Sequence, residues 1–485
     1  MMKTLTGFVY YPDSLEEAGG DTYFLVRSED DNLKYLGVMG DPSGFSGGQG
    51  IAGDSSALTH LFPLTAENAA ALRERLPWLS PQPLGVRLTV GFGDRLGIAT
   101  PGHVRAVEGA PIAPVFAQQS VRENTRVHRS PQQVLDDAMW GVLQTGWRAP
   151  WGADADHLKT TEDIDSFCDA GFTFFTIDPS EQVDDSASSA LPEALLARVR
   201  ALPWDQLHST LEDTRQRFLG HTFQVEGYTL SFDEDTLLRA LAKFGRAIAQ
   251  VARMAWHLKQ SAAGRGYDLE VSVDETEQPT SPEEHYLIAS ELGRLEVPFT
   301  SLAPHFVGRF EKGVDYIGDL GEFERSFALH AAIARHFGNY RLSLHTGSDK
   351  LSVYPIAARL SRGMLHIKTA GTSYLEALRV IAQVDPALFR KVLQISIARY
   401  EIERTTYHVS ASPDRLPDPA TLEDNELQGY LDQFDSRQIL HVGYGTTLER
   451  FGPDIFAILR ANEDLFYETL AGHFKKHLSA LFIDA

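Results

Sequence analysis

The sequence predicts an α/β fold: a (β/α)8 barrel of the TIM type with an N-terminal lead, a helical insertion and a helical C-terminal extension. Three observations carry that prediction. Short apolar runs that stop at polar residues recur eight times. Amphipathic stretches of helical period lie between them. The chain has 485 residues, 43% of them hydrophobic, which is enough to bury a large core.

Residues 1–84 form the lead. It holds two β-like runs, "DTYFLVRSED" and "KYLGVMGD", a Gly-rich loop and one helix, "TAENAAALRERL". Residues 85–385 form the barrel. "GVRLTVGFGDR" ends at Asp94 and Arg95, and "APVFAQQS" at Gln118 and Gln119. "GADADHLKT" delivers Asp154, Asp156, His157 and Lys159, and "FTFFTIDPS" ends at Asp178. "YDLEVSVDET" ends at Asp274 and Glu275, and "VPFTSLAPH" at His305. "YRLSLHTGSDK" brings His345, Ser348, Asp349 and Lys350, and "GMLHIKTAGTS" brings His366 and Lys368. Intervening stretches such as "SPQQVLDDAMWGVLQTG" and "SPEEHYLIASELGRL" open with Ser and Pro, which suit the cap and first turn of a helix. After the fourth strand, residues from about 183 to 265 read as a helical insertion. Residues 386–485 are helical too, with one further strand-like piece, "ILHVGYG".

In such a barrel the strand ends that precede helices share one face, and that face carries the active site. Polar residues at eight strand ends are therefore expected to meet at one mouth.

The formal net charge of -22 weighs against nucleic acid and anionic membrane surfaces as partners. No run approaches the ~18 apolar residues of a membrane span, and the N-terminus lacks an apolar signal segment. A soluble cytoplasmic protein, with a homo-oligomer as one option, is the expectation. The single cysteine, Cys168, reads as a buried core thiol. "GFSGG" at 44–48 matches a nucleophile elbow in letters only, since Pro42 precedes it and no helix pattern follows. "GFGDRLG" is one residue too long for a dinucleotide fingerprint, and no P-loop, HExxH or zinc-finger spacing occurs.

Side chains two apart on a strand share a face. Arg341, Ser343 and His345 are therefore expected to point one way, as are His366 with Lys368 and Asp154 with Asp156, while His157 and Lys159 point opposite. Carboxylates and imidazoles from separate strands build open sites for a divalent ion of the Zn, Mn or Ni type. Histidines on helices, such as His330, His336 and His285, read as packing residues; His103 reads the same way. "KTAGTSYLEAL" places Thr369, Gly371, Thr372 and Ser373 before a helix, beside Lys368, which suits a carboxylate or phosphate.

Several segments resemble the tagaturonate epimerase family of bacterial uronate epimerases. They are "VSVDETEQPTSPEEHYLIASEL", "GRFEKGVDYIGDL", "RLSLHTGSDKLSVYPIAARL" and "LHIKTAGTSYLEALRVIA", and "GADADHLKT" and "FTIDPS" fit the same pattern. They span roughly residues 90 to 385. The resemblance implies a metal-dependent cytoplasmic barrel enzyme that interconverts D-tagaturonate and D-fructuronate. It assigns His305 to the substrate, because the family also accepts arginine after "LAP". The expected metal ligands are Asp156, Glu275, His345 and His366. The expected catalytic groups are Asp178, Asp274, Lys159 and Lys368. The expected substrate contacts are Gln118, His157, His305, Arg341, Ser348, Asp349, Lys350, Thr369 and Gly371.

The two keto acids differ at a carbinol β to the ketone, so enolisation cannot loosen the C–H bond there. Transient oxidation by a nicotinamide would need a cofactor fingerprint. Retro-aldol cleavage and re-addition needs an acid–base pair and a cation. The competing expectations are a metal-dependent sugar or keto-acid isomerase or aldolase on the same barrel, and a non-catalytic sugar-acid binding protein.

Overall fold

The computed structural model describes residues 5–52, 58–338 and 340–482. The lead is a five-stranded antiparallel sheet: β1 (Phe8–Ala18), β2 (Asp21–Ser28), β3 (Lys34–Met39), β4 (Gln49–Ala52) and β5 (Leu58–Pro63), in the order β1-β2-β3-β5-β4. Helix α1 (Ala66–Arg75) follows, capped by Thr65. "GFSGG" forms no nucleophile elbow; it runs into the short strand β4, and residues 53–57 beyond it lie outside the described residues.

The eight expected runs close a parallel barrel. Its strands are β6 (Thr89–Gly91), β7 (Ala113–Ser120), β8 (Gly152–Leu158) and β9 (Phe174–Ile177), then, past the insertion, β12 (Asp268–Val273), β13 (Ser301–Pro304), β14 (Arg341–Leu344) and β15 (Leu365–Lys368). The helices outside them start where the sequence signals them. In α4 (Pro131–Gln144) Ser130 accepts from the Gln133 amide and Gln133 answers to the Ser130 amide, and α9 (Pro282–Arg294) repeats this with Ser281 and Glu284. Helix α5 (Thr161–Ala170) ends at Gly171 with φ 98°, a left-handed turn that suits glycine. Cys168 is buried on this helix.

The insertion carries α6 (Pro192–Arg200), α7 (Leu211–Phe218), the hairpin β10 (Thr222–Val225) with β11 (Tyr228–Ser231), and the long α8 (Glu234–Ser261). The hairpin is an addition to the helical reading. Its strands are four residues each, and mostly exposed positions give them little apolar signature.

The extension packs α13 (Pro386–Glu403), α14 (Phe434–Val442), α15 (Tyr444–Ala461) and α16 (Glu463–Ala480). "ILHVGYG" is not a strand but the end of α14 and the start of α15. Ile439, Leu440, His441, Val442 and Tyr444 are all fully buried, and a helix buried on all sides has no periodicity to separate it from a strand. Lead, barrel and extension share one apolar core: Leu25 and Leu36, Val90 and Ile367, and Phe474 and Leu478 belong to one cluster. Among the described residues no helix is long and apolar enough to cross a membrane.

Helix α16 lies against α2 (Thr100–Val107) at Gly102. A Cβ there would come within 2.9 Å of Leu470 Cβ and 3.2 Å of the Tyr467 backbone. Gly102→Val should therefore destabilise the fold by about 1–3 kcal/mol through overpacking. Urea unfolding would read this as a lower midpoint at unchanged slope; an unchanged midpoint would mean that the extension does not depend on this contact.

Candidate active site at the barrel mouth

The barrel interior is ionic where such barrels usually pack branched apolar side chains. On β15, Lys368 points inward and is almost wholly buried. Its ammonium lies 2.7 Å from Asp156, 2.9 Å from Glu270 and 3.0 Å from Asp154, and donates to Thr176 Oγ1 at 2.6 Å. Burial opposes every one of these charges, but the pairing outweighs it. Lys368 is held well above the ordinary lysine range, and Asp156 and Glu270 well below the carboxylate range.

Above this floor stands His345. Its Nε2 meets Glu270 at 2.6 Å and its Nδ1 lies 3.1 Å from Asp274. Burial disfavours the imidazolium, yet Asp274 and Glu270 raise the ring to about 10. The Nδ1 atom is buried and makes no directed hydrogen bond.

His157 joins it, with the two rings 4.9 Å apart. This departs from the expected alternation. His157 has φ 53°, and the β8–β9 register shifts between Ala155 and Leu158. The left-handed residue breaks the period of two and turns the ring into the mouth. There its Nδ1 lies 3.1 Å from Asp178 Oδ2, and its Nε2 lies 3.7 Å from Asp156. Burial works against the charged ring, but Asp156 and Asp178 raise it. Asp178 in turn is lowered to about 2: burial is overcome by the His157 hydrogen bond and by Lys159. Lys159 is 3.0 Å from Ser180 Oγ, 3.6 Å from Asp178 and 3.8 Å from Glu275.

The other expected site residues divide into two groups. Some line the barrel below or beside the mouth. Gln118 is in register with Asp154, has no hydrogen-bond partner, and fits because Gly91 has no Cβ. Arg341 lies deep, donating to Thr89 Oγ1 at 3.2 Å over the Phe174 ring. His366 is fully buried, 2.8 Å from the same Thr89 hydroxyl. His305 contacts the Thr276 carbonyl at 3.0 Å.

The second group is turned to structural partners. Ser348 donates to Ala370 O at 3.0 Å and Thr369 to Gly91 O at 2.6 Å. Gly371 caps α12 (Thr372–Val384) at φ 88°, where a Cβ would strike His441. Asp349 pairs with Arg437 and His473, each at 2.7 Å. Lys350 donates to the carbonyls of Glu311 (2.7 Å), Ser348 (3.1 Å) and Val314. The anion site expected at the start of α12 thus has its side chains spent on backbone carbonyls and on Ser348, and its lysine on three carboxylates. His285 and His330 pack together as expected, 2.8 Å apart.

Glu270 was not among the expected residues, though a signal existed. In "YDLEVSV" the polar Asp268, Glu270 and Ser272 alternate with Leu269, Val271 and Val273, which marks an inward polar face.

Among the described residues, three groups bring ligand atoms within 4.8 Å of one another: His157, Asp274 and His345; His157, Asp178 and Glu275; and Asp349, His473 and His477. The third is already satisfied, because Arg437 holds Asp349 and His477 accepts from the Asp349 amide at 2.9 Å. The first two lie at the mouth. The first includes the unbonded His345 Nδ1, and two imidazoles with a carboxylate suit a Zn, Mn or Ni type of ion. Of the four expected ligands, His345 and Glu275 fall in these groups. Asp156 is bonded to Lys368, and His366 lies below with Thr89.

Comparison with known proteins agrees with this architecture along nearly its whole length. A family model described as tagaturonate epimerase matches residues 11–481. A tagaturonate/fructuronate epimerase from Thermotoga maritima is 41% identical over 482 residues, covering 98% of this chain and 97% of its own. The native crystal structure of a fructuronate-tagaturonate epimerase from Cohnella laeviribosi superposes with a TM-score of 0.92 at 38% identity, covering 98% of this chain and 97% of that one. A glycerol complex of the same protein gives 0.91 at 38% identity, over 98% and 96%. This chain belongs to the tagaturonate epimerase family.

Proposed function

We propose that this chain interconverts D-tagaturonate and D-fructuronate by retro-aldol cleavage and re-addition, as a cytoplasmic enzyme of hexuronate catabolism. The observation that carries the reading is the pair of carboxylate-flanked imidazoles, His157 and His345, 4.9 Å apart at the mouth of a barrel of this family. Assay of both ketohexuronates, with and without chelator, tests it; no turnover of either by metal-replete protein would overturn it.

His157, Asp274 and His345, with Glu275 beside them, would hold the divalent ion. Bound there, it would supply Lewis acidity toward a substrate carbonyl oxygen. The chain's own groups handle protons and position. Asp178 orients His157 through Nδ1, which leaves Nε2 for the ion, and the Asp178 carboxylate takes the proton of the reacting hydroxyl directly or through one water. As that proton leaves, its electron pair forms an aldehyde, the adjacent carbon–carbon bond breaks, and those electrons pass to the enediolate. Lys159 stands at the rim of the mouth to meet a substrate oxygen. Lys368 acts from beneath, fixing Glu270, which in turn fixes His345.

The carbon–hydrogen bond at the inverted centre survives this sequence. In deuterium oxide, product NMR should show no deuterium at that carbon, and its appearance there would reject retro-aldol cleavage. His345→Ala should lose bound metal and activity together while circular dichroism stays native; stoichiometric metal in that variant would remove His345 from the ligand set.

Lys368→Met leaves three buried carboxylates without their cation, and breaking such a pairing costs about 3–5 kcal/mol. The sign with pH follows. Without Lys368 the folded-state carboxylates rise above their unfolded values, so the penalty is largest at neutral pH and shrinks as acid protonates them. Urea midpoints at pH 8 and pH 5 should therefore differ less from wild type at pH 5. An equal deficit at both would mean that the lysine contributes packing and not charge.

A further inference from the structure

Two cations at the mouth have no anionic partner. Among the described residues no Asp or Glu oxygen lies within 4.0 Å of Lys312 Nζ or the Arg122 guanidinium. Their neighbours at the mouth are paired: Lys159 and Lys368 as described above, and Arg95 with Glu123 at 2.7 Å.

Both are half-buried. Lys312 sits on the loop after β13 and donates to Thr346 Oγ1 at 2.8 Å, next to His345. Arg122 opens α3 (Val121–Val127) directly after β7. It donates to Thr406 O at 3.2 Å and lies over the Tyr407 ring at 4.9 Å, and its Nε is buried without a partner. Burial, and after it the Arg122 charge, lower the Lys312 ammonium from its ordinary value, while Glu123 and Asp156 act the other way from a distance.

The protein fixes the loop that carries Lys312. Lys350 donates to the carbonyls of Glu311 and Val314, which bracket Lys312. Arg437 donates to Gly313 O at 2.6 Å, and Gln438 to the Glu311 carboxylate at 2.8 Å. Cations without a carboxylate partner beside a reaction site are stabilised when an anion arrives.

We infer that Lys312 and Arg122 bind the substrate carboxylate and so set the preference for a sugar acid over a neutral sugar. The inference rests on the ketohexuronate reading. It also gives the retro-aldol sequence a holding point. Cleavage leaves a three-carbon aldehyde acid, and a carboxylate held at these two residues keeps that fragment in the mouth while its carbonyl turns.

The test compares each ketohexuronate with the ketohexose in which a hydroxymethyl group replaces the carboxylate. Lys312→Met and Arg122→Leu should each raise KM for the ketohexuronates roughly 10–100-fold, the range expected for a lost charge-assisted hydrogen bond. KM for the ketohexose should stay within about twofold on the same scale, where no such bond is lost. Lys312→Arg and Arg122→Lys should keep most of the preference. Equal losses on both substrates, or an unchanged ketohexuronate KM, would overturn the assignment. If either neutralised variant fails to fold by circular dichroism, the other decides. Should wild type turn over neither ketohexuronate, the proposed function falls first. The anion site is then judged by calorimetric binding of D-gluconate against D-glucitol: gluconate binding lost in Lys312→Met supports it, and unchanged binding overturns it.

Discussion

The ammonium of Lys368 inside the barrel is the interaction on which the rest of the site depends. Asp154, Asp156 and Glu270 come from two different strands and would repel one another in a region shielded from water. One cation placed 3.0 Å or less from all three makes that interior tenable. The consequence reaches upward. Glu270, ionised by Lys368, accepts from His345 at 2.6 Å and fixes the ring that faces Asp274 and His157. A conventional apolar barrel core would leave that imidazole without an orienting partner from below.

The second constraint comes from the far end of the chain. Several barrel strands are only four residues long, so they deliver functional groups but cannot hold the loops that follow them. The extension supplies that grip. Arg437 and Gln438 of α14 hold the loop at 311–313, His473 and Arg437 hold Asp349, and Thr406 and Tyr407 hold Arg122. Lys350 completes this from the β14 side by donating to loop carbonyls. Such a buried lysine is expensive unless all its donors are used, and three carbonyls use them.

The same division explains what could be read from the sequence. The eight barrel strands were legible because an apolar run ending in polar residues is a local signal, and so were the caps of α4 and α9. The misread "ILHVGYG" lost its period to complete burial, and the hairpin at 222–231 was too short and exposed to show one. At the site, alternation correctly grouped Asp154 with Asp156 and His366 with Lys368. It misdirected His157, because one left-handed residue overrides a period of two and nothing in the letters marks it. Ser348, Asp349, Lys350 and Thr369 have the right chemistry at the right strand ends. Which way each turns depends on partners far along the chain, such as Arg437 and Glu311, that no local pattern reveals.

Net charge poses the last physical question, since an acidic protein must admit an acidic substrate. Surface carboxylates act over a screening length of about 8 Å at physiological salt, so most of the formal -22 is weak at the mouth. What an incoming anion meets is local. Most carboxylates at the mouth already face a cation: Asp156 faces Lys368, Asp178 faces Lys159, and Asp274 faces His345. Among the described residues Lys312 and Arg122 have no carboxylate within 4.0 Å, and their half-buried position screens them less than open solvent would. The carboxylates of the floor are thus paired from within, and Lys312 and Arg122 remain at the mouth to meet an anion.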